Sequence, residues 1–277
     1  MPSLKQLRDD LGFVHECQTL FGAMQHTALA QLGRILQAHR SKRPVGPILE
    51  QWCLPMVPEA AFRHPLLRAP TAVGEGSLIV LMTGDQGLVG PLYHEVIRLA
   101  LAQACEPSHW IALGVRGSTL LTERDVPHQT IPSPVEEDVP PLMRRLATQL
   151  IQQIRQTPVS RVWLVSSRFD SMTRHIATAQ PLLPWPSRSA AAPEDVVSEP
   201  SLERAVEQLV WTWLRIRLED AWWTNRLAEL AARALHLEEA RDDLTAQSTA
   251  LRRELCKAMH QRLDTMAREM GAAHPCR

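Results

Sequence analysis

SLERAVEQLVWTWLRIRLEDAWWTNRLAELAARALHLEEARDDLTAQSTALRRELCKAMHQRLDTMAREM, residues Ser201–Met270, contains neither proline nor glycine. Pro200 stands just before it and Gly271 just after it, the order of a helix start and stop. At about 1.5 Å per residue such a helix is on the order of 100 Å long, more than a compact domain can enclose. The stretch is therefore expected to protrude and to find a partner. From Leu230 the positions Leu230, Ala234, Leu237, Arg241, Leu244, Ser248, Leu251 and Leu255 alternate steps of four and three, a coiled-coil seam that Arg241 and Ser248 interrupt. The apolar row continues through Met259, Leu263, Met266 and Met270, so the last turns also have a face to bury.

A partner lies at the other end of the chain. Ser3 and Gln6 form a capping box, and Leu4, Leu7, Leu11, Val14, Phe21, Met24, Ala28 and Ile35 follow at mostly helical spacing. This second amphipathic helix can run to about Arg43, where Pro44 and Pro47 oppose continuation. The two helices are expected to pair as an antiparallel hairpin that holds the middle of the chain between them. Arg34, Arg40, Lys42 and Arg43 make a basic cluster near the end of the first, best read as a solvated helix C-terminus because no aromatic platform accompanies it.

The middle has a different texture. SLIVLMT at Ser77–Thr83, WIALGV at Trp110–Val115 and VWLVS at Val162–Ser166 read as buried parallel strands. Helical segments, about Leu92–Ala104 and about Pro140–Gln156, lie between them, and that alternation implies an α/β layer arrangement. The expected division is 1–56 as N-terminal coiled-coil helix, 70–184 as α/β domain, 185–200 as a proline- and alanine-rich linker, and 201–277 as C-terminal coiled-coil helix. Trp211, Trp213, Trp222 and Trp223 crowd the start of the long helix and are expected to pack its base on the α/β domain.

Composition narrows the chemistry. Lysine plus arginine equals aspartate plus glutamate at 30 each, so nothing in the balance calls for nucleic acid or an anionic membrane, and the partner is expected to be protein. Five scattered cysteines, Cys17, Cys53, Cys105, Cys256 and Cys276, show no metal-ligand or disulfide spacing and point to a reducing compartment. No apolar run reaches the roughly 20 residues that span a bilayer, and the expectation is a cytoplasmic protein that can sit on a membrane complex.

The turn Thr83–Gly90 (TGDQGLVG) enters a helix after the first strand, where α/β proteins often hold phosphate. Its spacing fits neither the dinucleotide fingerprint nor a P-loop. Ser166 and Ser167 with Asp170 and His175 supply the residue types of a hydrolase triad without its nucleophile elbow. The histidines are dispersed and form no helical zinc motif. No catalytic residue, cofactor or metal site is expected.

In the order long helix, α/β domain, longer helix, the chain resembles the gamma subunit of F-type ATP synthases. Ala23-Met24 matches the family's Ala-Met pair in its first helix, and His64-Pro65, followed by Leu66, matches its His-Pro before the first strand. Thr83 with Asp85-Gln86-Gly87-Leu88-Val89-Gly90 is similar to the signature after that strand, with Gly84 added and valine in place of cysteine. Ser167-Arg168-Phe169, Leu182-Leu183-Pro184 and Glu199-Pro200 fit later family segments. The family's polar run near the C-terminal end is replaced by Glu254, Lys257, Ala258, Gln261 and Arg262, and its Ala-Arg-Met-x-Ala-Met segment by Ala231–His236. These departures mark a divergent member, of the kind an alternative or sodium-translocating F-type ATPase would carry.

The resemblance implies an α/β fold with a long antiparallel coiled coil, formed by the N- and C-terminal helices, and a central Rossmann-like α/β domain. It implies a non-catalytic, cofactor-free rotor that couples ion translocation to ATP synthesis or hydrolysis. Its expected partners are the alpha and beta subunits of the catalytic hexamer, the epsilon subunit and the membrane c-ring, at the cytoplasmic face of the inner (plasma) membrane. Met24, Lys257, Leu263, Met266 and Met270 are candidate hexamer contacts; Glu199 and Glu203 are candidate contacts to ring and epsilon. Two rival readings are a free-standing α/β nucleotide-binding enzyme with a coiled-coil dimerisation arm, and a non-rotary scaffold derived from a gamma subunit.

Overall fold

A computed structural model of the chain describes residues 3–41, 46, 48, 76–157, 159–183 and 201–273. Ser3 and Gln6 close the capping box reciprocally, each backbone N–H donating to the other's side-chain oxygen at 2.8 and 3.1 Å. They start helix α1, Leu4–Ser41. The question whether Pro44 and Pro47 end this helix lies outside the described residues.

Strand β1, Gly76–Met82, is buried along its whole length. It is followed by α2 (Leu92–Gln103), β2 (Ser108–Leu113), α3 (Val115–Thr122), β3 (Gln129–Ile131), α4 (Val139–Gln156), β4 (Val159–Ser171), β5 (Arg174–Leu183) and α5 (Leu202–Ala273). The sheet order is β3-β2-β1-β4-β5. The first four strands run parallel, and β5 folds back antiparallel on β4, pairing Val165 with Ala179 and Phe169 with His175. The three apolar runs read as strands fall in β1, β2 and β4, except that Thr83 and Gly114 lie past the strand ends and Val115 opens α3. Strands β3 and β5 and helix α3 carry too little periodicity to be read from sequence: β3 has three residues, and β5 mixes Arg174, His175, Thr178, Gln180 and Pro181.

Alternation along β1 assigns its two faces. Leu78, Val80 and Met82 point to a core shared with α4 and the first turns of α5, and Trp213, Leu214, Leu218 and Trp222 complete it. Ile79 and Leu81 point to the other face, where Val96, Ile97 and Ala100 of α2 and Leu121 of α3 cover them. Helices on both faces of a mostly parallel sheet bury the ladder from water. The tryptophans pack as expected: Trp213 is 1% exposed and Trp222 3%. Trp211, half-buried, donates its indole N–H to Thr148 Oγ1 at 3.0 Å.

By contact density the chain divides into two compact units, Met1–Ala30 with Ala234–Arg277, and Gln31–Arg233. The first is a helix pair. Gln18 donates to Thr245 at 3.0 Å and Arg241 donates to Gln25 at 2.7 Å, so numbers rise on α1 as they fall on α5 and the pairing is antiparallel. Arg241 and Ser248, which interrupt the apolar seam, stay within it: Ser248 is buried, and the Arg241 guanidinium is held by the buried Gln25. A polar layer of this kind costs some stability and specifies register. Gly271 does not stop α5, which continues to Ala273; a glycine disfavours a helix turn by only about 1 kcal/mol relative to alanine.

Helix α1 carries Gly12 and Gly33 at positions where an added Cβ would meet nothing within 4 Å. Replacing either by alanine is expected to raise the stability of the isolated chain by about 0.5–1 kcal/mol. Chemical denaturation of Gly12→Ala and Gly33→Ala checks this, and a loss of stability would show that the helix needs its glycines.

Candidate functional site

The glycine-rich turn follows the C-terminal end of β1 and is held there by hydrogen bonds from the start of α3. Thr83, Gly84 and Asp85 leave β1 beside the start of α3, and each takes one of that helix's first free N–H groups. Val115 N donates to Asp85 Oδ1 at 2.8 Å, Arg116 N to the Gly84 carbonyl at 3.1 Å, and Gly117 N to Thr83 Oγ1 at 3.0 Å. Asp85 Oδ1 also accepts from Ser133 N at 3.3 Å. A helix N-terminus attracts an anion because those donors are unpaired. Here the turn supplies its own carboxylate and carbonyl, so the position a phosphate would take at α3 is already filled.

Gly114 makes this fit possible. Its φ of 100° lies in the left-handed range, and a Cβ there would press into the Thr83 backbone. Gly84 has a different reason: a Cβ on it would run into the carboxylate of Glu229, brought over the turn by α5. Glu229 is 1% exposed. It accepts from Arg233 at 2.7 Å and pairs with Arg226 at 3.0 Å, and Arg233 Nε donates to the Gly87 carbonyl at 3.1 Å. Two guanidinium groups around one buried carboxylate satisfy its lone pairs and tie α5 to the turn by charge-assisted bonds.

Tyr93 of α2 closes the cluster. Gly84 N donates to its phenolic oxygen at 2.8 Å. Burial, then the Glu229 carboxylate, pushes the Tyr93 phenol well above the ordinary tyrosine range. Because the folded value is the raised one, the stability linked to Tyr93 is intact below the unfolded phenol's pKa of about 10 and is lost as pH rises past it. Tyr93 is the single tyrosine of the chain, so phenolate absorbance reads this group alone. It is expected to stay un-ionised above pH ~10 until the chain unfolds. Tyr93→Phe should remove that alkaline component and cost about 1–3 kcal/mol by leaving Gly84 N–H unpaired. A phenolate signal that appears near pH 10 in the folded chain would contradict the placement.

The other sequence candidates separate. Asp170 pairs with Arg174 at 3.6 Å, Ser167 N donates to Asn225 Oδ1 at 3.1 Å, and His175 sits across the hairpin from Phe169. Burial lowers the pKa of His175 despite Glu95 nearby, and among the described residues no Ser-His-Asp relay is assembled. Arg34 pairs with Glu136 at 2.8 Å, a surface ion pair. Cys17, Cys105 and Cys256 are free thiols. Among the expected contact residues, Met24 is half-buried on α1, Lys257 is exposed on α5, and Leu263, Met266 and Met270 are 61%, 43% and 67% exposed. Glu203 is exposed in the first turn of α5, and Glu199 lies outside the described residues.

Sequence reasoning missed Glu229 with Arg226 and Arg233. The available signal was a glutamate flanked by arginines at helical spacing inside Leu227-Ala228-Glu229-Leu230-Ala231-Ala232, where small apolar neighbours announce burial.

Comparison with known proteins places these features in a family. A family model described as ATP synthase matches residues 3–262. The ATP synthase gamma chain of Methylorubrum extorquens is 28% identical over 263 residues, covering 87% of this chain and 88% of the relative. That of Cereibacter sphaeroides is 25% identical over 253 residues, covering 87% of each. Among solved structures, a chain of the Euglena gracilis mitochondrial ATP synthase rotor superposes with a TM-score of 0.72 at 14% identity, covering 94% of this chain and 98% of that one.

Proposed function

The chain belongs to the ATP synthase gamma-chain family, and from that premise we propose that it is the central-stalk rotor of a rotary F-type ATP synthase or ATPase. It is a non-catalytic subunit that couples ion translocation through the membrane sector to ATP synthesis or hydrolysis in the alpha/beta hexamer. Its partners are the alpha and beta subunits, epsilon and the c-ring. No described helix is long and apolar enough to cross a membrane, and attachment through the complex to the cytoplasmic face of the inner membrane fits that.

A rotor works by presenting different faces to chemically identical neighbours and so shifting their conformational equilibria by differential contact. It needs no active site, only stiffness and surfaces. The observation that carries the reading is on α5. Its first turns are anchored in the sheet core through Val206, Val210, Trp213 and Trp222, while its last carry the bare stripe Met259, Leu263, Met266 and Met270. The register of the helix pair brings the start of α1 opposite residues near Met259, so among the described residues no α1 turn lies opposite the stripe from Leu263 onward. Exposed apolar rows of this length mark an interface. That supports Leu263, Met266 and Met270 as contacts to the hexamer; we assign Lys257 and Met24 to the same contact, and Glu199 and Glu203 to contacts toward ring and epsilon, from the family resemblance alone.

Purification of the tagged chain from its native host tests the proposal. Recovery of alpha and beta subunits with one copy of this chain, and loss of coupled ATPase activity when Ser248 onward is deleted, is the expected result. A chain that purifies alone or as a homodimer and binds nucleotide would overturn it.

A further inference from the structure

Helix α3 closes on a turn that sends the chain back along the helix. Val126 N donates to the Leu121 carbonyl and Asp125 N to that of Thr122, both at 3.1 Å, with Asp125 at a φ of 55°. This is the Schellman close of a helix, with aspartate in the left-handed position that glycine usually fills. The returning segment Val126-Pro127-His128 leads into the edge strand β3 and sets His128 against Ser118 of α3, with Nε2 2.8 Å from the serine Oγ. Both residues are half-buried, and the neighbouring Thr130 is exposed, so the pair lies at the surface.

The hydrogen bonds around this pair fix every proton by elimination. His128 Nδ1 is 2.8 Å from the Val126 carbonyl oxygen, which can only accept, so Nδ1 carries the proton. In the neutral ring Nε2 then holds the lone pair, and the Ser118 hydroxyl donates to it. Thr130 Oγ1 is 2.7 Å from Ser118 Oγ; because the serine proton is already committed to His128, the threonine is the donor. Serine, a base within reach of its proton and a third group that orients the base are the parts of an activated nucleophile. Here a backbone carbonyl takes the orienting place that a carboxylate holds in a hydrolase triad.

The second half of a hydrolase is missing. The N–H groups of Val115, Arg116 and Gly117 are taken by Asp85, Gly84 and Thr83, and that of Ser118 by the Gly114 carbonyl. None of them is left to hold an oxyanion, a loss that slows acyl transfer by about 10²–10³ for each donor. Attack by water on an acylated serine lacks the same help, so an ester formed at Ser118 persists.

We propose that Ser118, activated by His128, is an acyl-acceptor site for activated esters, at which the chain is modified once rather than turned over. Ser118 Oγ bonds to the ester carbonyl carbon while its proton passes to His128 Nε2. The bond from that carbon to the leaving oxygen then breaks, and the proton leaves with the departing alcohol. The products are acyl-Ser118, neutral His128 and the free alcohol. The proposal does not depend on the rotor reading.

The test treats the full chain with p-nitrophenyl acetate, follows p-nitrophenol by absorbance and maps acetylated peptides by mass spectrometry. The expected result is release of about one equivalent of p-nitrophenol, with the acetyl group on Ser118 and little release afterwards. His128→Asn keeps a donor for the Val126 carbonyl and supplies no base; acetylation of Ser118 should slow about 100-fold. Ser118→Ala should abolish the first equivalent, and Ser118→Cys should restore it. Circular dichroism of each variant, expected to match the parent, confirms the fold; if His128→Asn does not match, His128→Gln replaces it. Acetyl groups spread evenly over the serines, an unmodified Ser118, or a Ser118 rate unchanged by loss of the imidazole overturns the proposal.

Discussion

Glu229→Ala is expected to destabilise the chain by about 3–5 kcal/mol, the usual consequence of removing one member of a buried ion pair. Glu229 is 1% exposed, and the side chains of Arg226 and Arg233 are 22% and 6% exposed. Without the carboxylate, two guanidinium groups face each other with Arg233 buried and Arg226 only partly open to water, and the Gly87 carbonyl still accepts from Arg233. Glu229→Gln keeps the shape and an acceptor oxygen and should fall between parent and alanine. A paired change, Glu229→Leu with Arg233→Met, leaves one guanidinium, the partly exposed Arg226, without its carboxylate instead of two, and should cost less than Glu229→Ala. Urea midpoints of the four chains decide the matter. If Glu229→Ala is no worse than the paired change, the network does not hold α5 to the turn.

Trp213→Ala carries a comparable cost for a different reason. Trp213 is 1% exposed in the core between sheet, α4 and α5, beside Val210, Leu214 and Leu218. Truncating a buried tryptophan removes its transfer energy and leaves a cavity, together about 3–5 kcal/mol. Trp211→Ala, at a half-buried position with one hydrogen bond to Thr148, should lose about 1–2 kcal/mol. Thermal unfolding of the two variants should separate them clearly. Equal effects would mean that Trp213 does not anchor the base of α5.

Both predictions concern the grip of the α/β layers on α5, which a rotor requires because torque passes through whatever holds the helix. The ion network and the tryptophan core grip it by different physics. Ionic contacts over Gly84 and Gly87 are directional and fix the helix about its own axis, whereas packing around Trp213 resists its withdrawal from the sheet.

Much of this was legible in the residues. The absence of proline and glycine from Ser201 to Met270, the four-three spacing from Leu230, the Ser3–Gln6 box and the β-branched runs before Thr83 and after Trp110 are local patterns, and each forms the element it announces. Periodicity works there because one face of a helix, or both faces of a central strand, must be apolar whatever the partner is. The apolar stripe Met259–Met270 is legible for the same reason.

What only the tertiary structure decided is how the polar groups are matched. Thr83–Gly90 has the composition of a phosphate-binding turn, yet Asp85 and Gly84 spend their acceptors on α3, more than 25 residues further along. Arg241 interrupts an apolar seam on paper, but Gln25, from the opposite end of the chain, receives it. Glu229 stands in a run of small apolar residues, and its burial makes sense only once Gly84 lies against it. Strand β5 is a strand because β4 supplies its hydrogen bonds. Hydrophobic periodicity is written into neighbouring residues and can be read from them, whereas the partner of a buried donor, acceptor or charge is chosen by which distant surfaces the fold brings within about 3 Å.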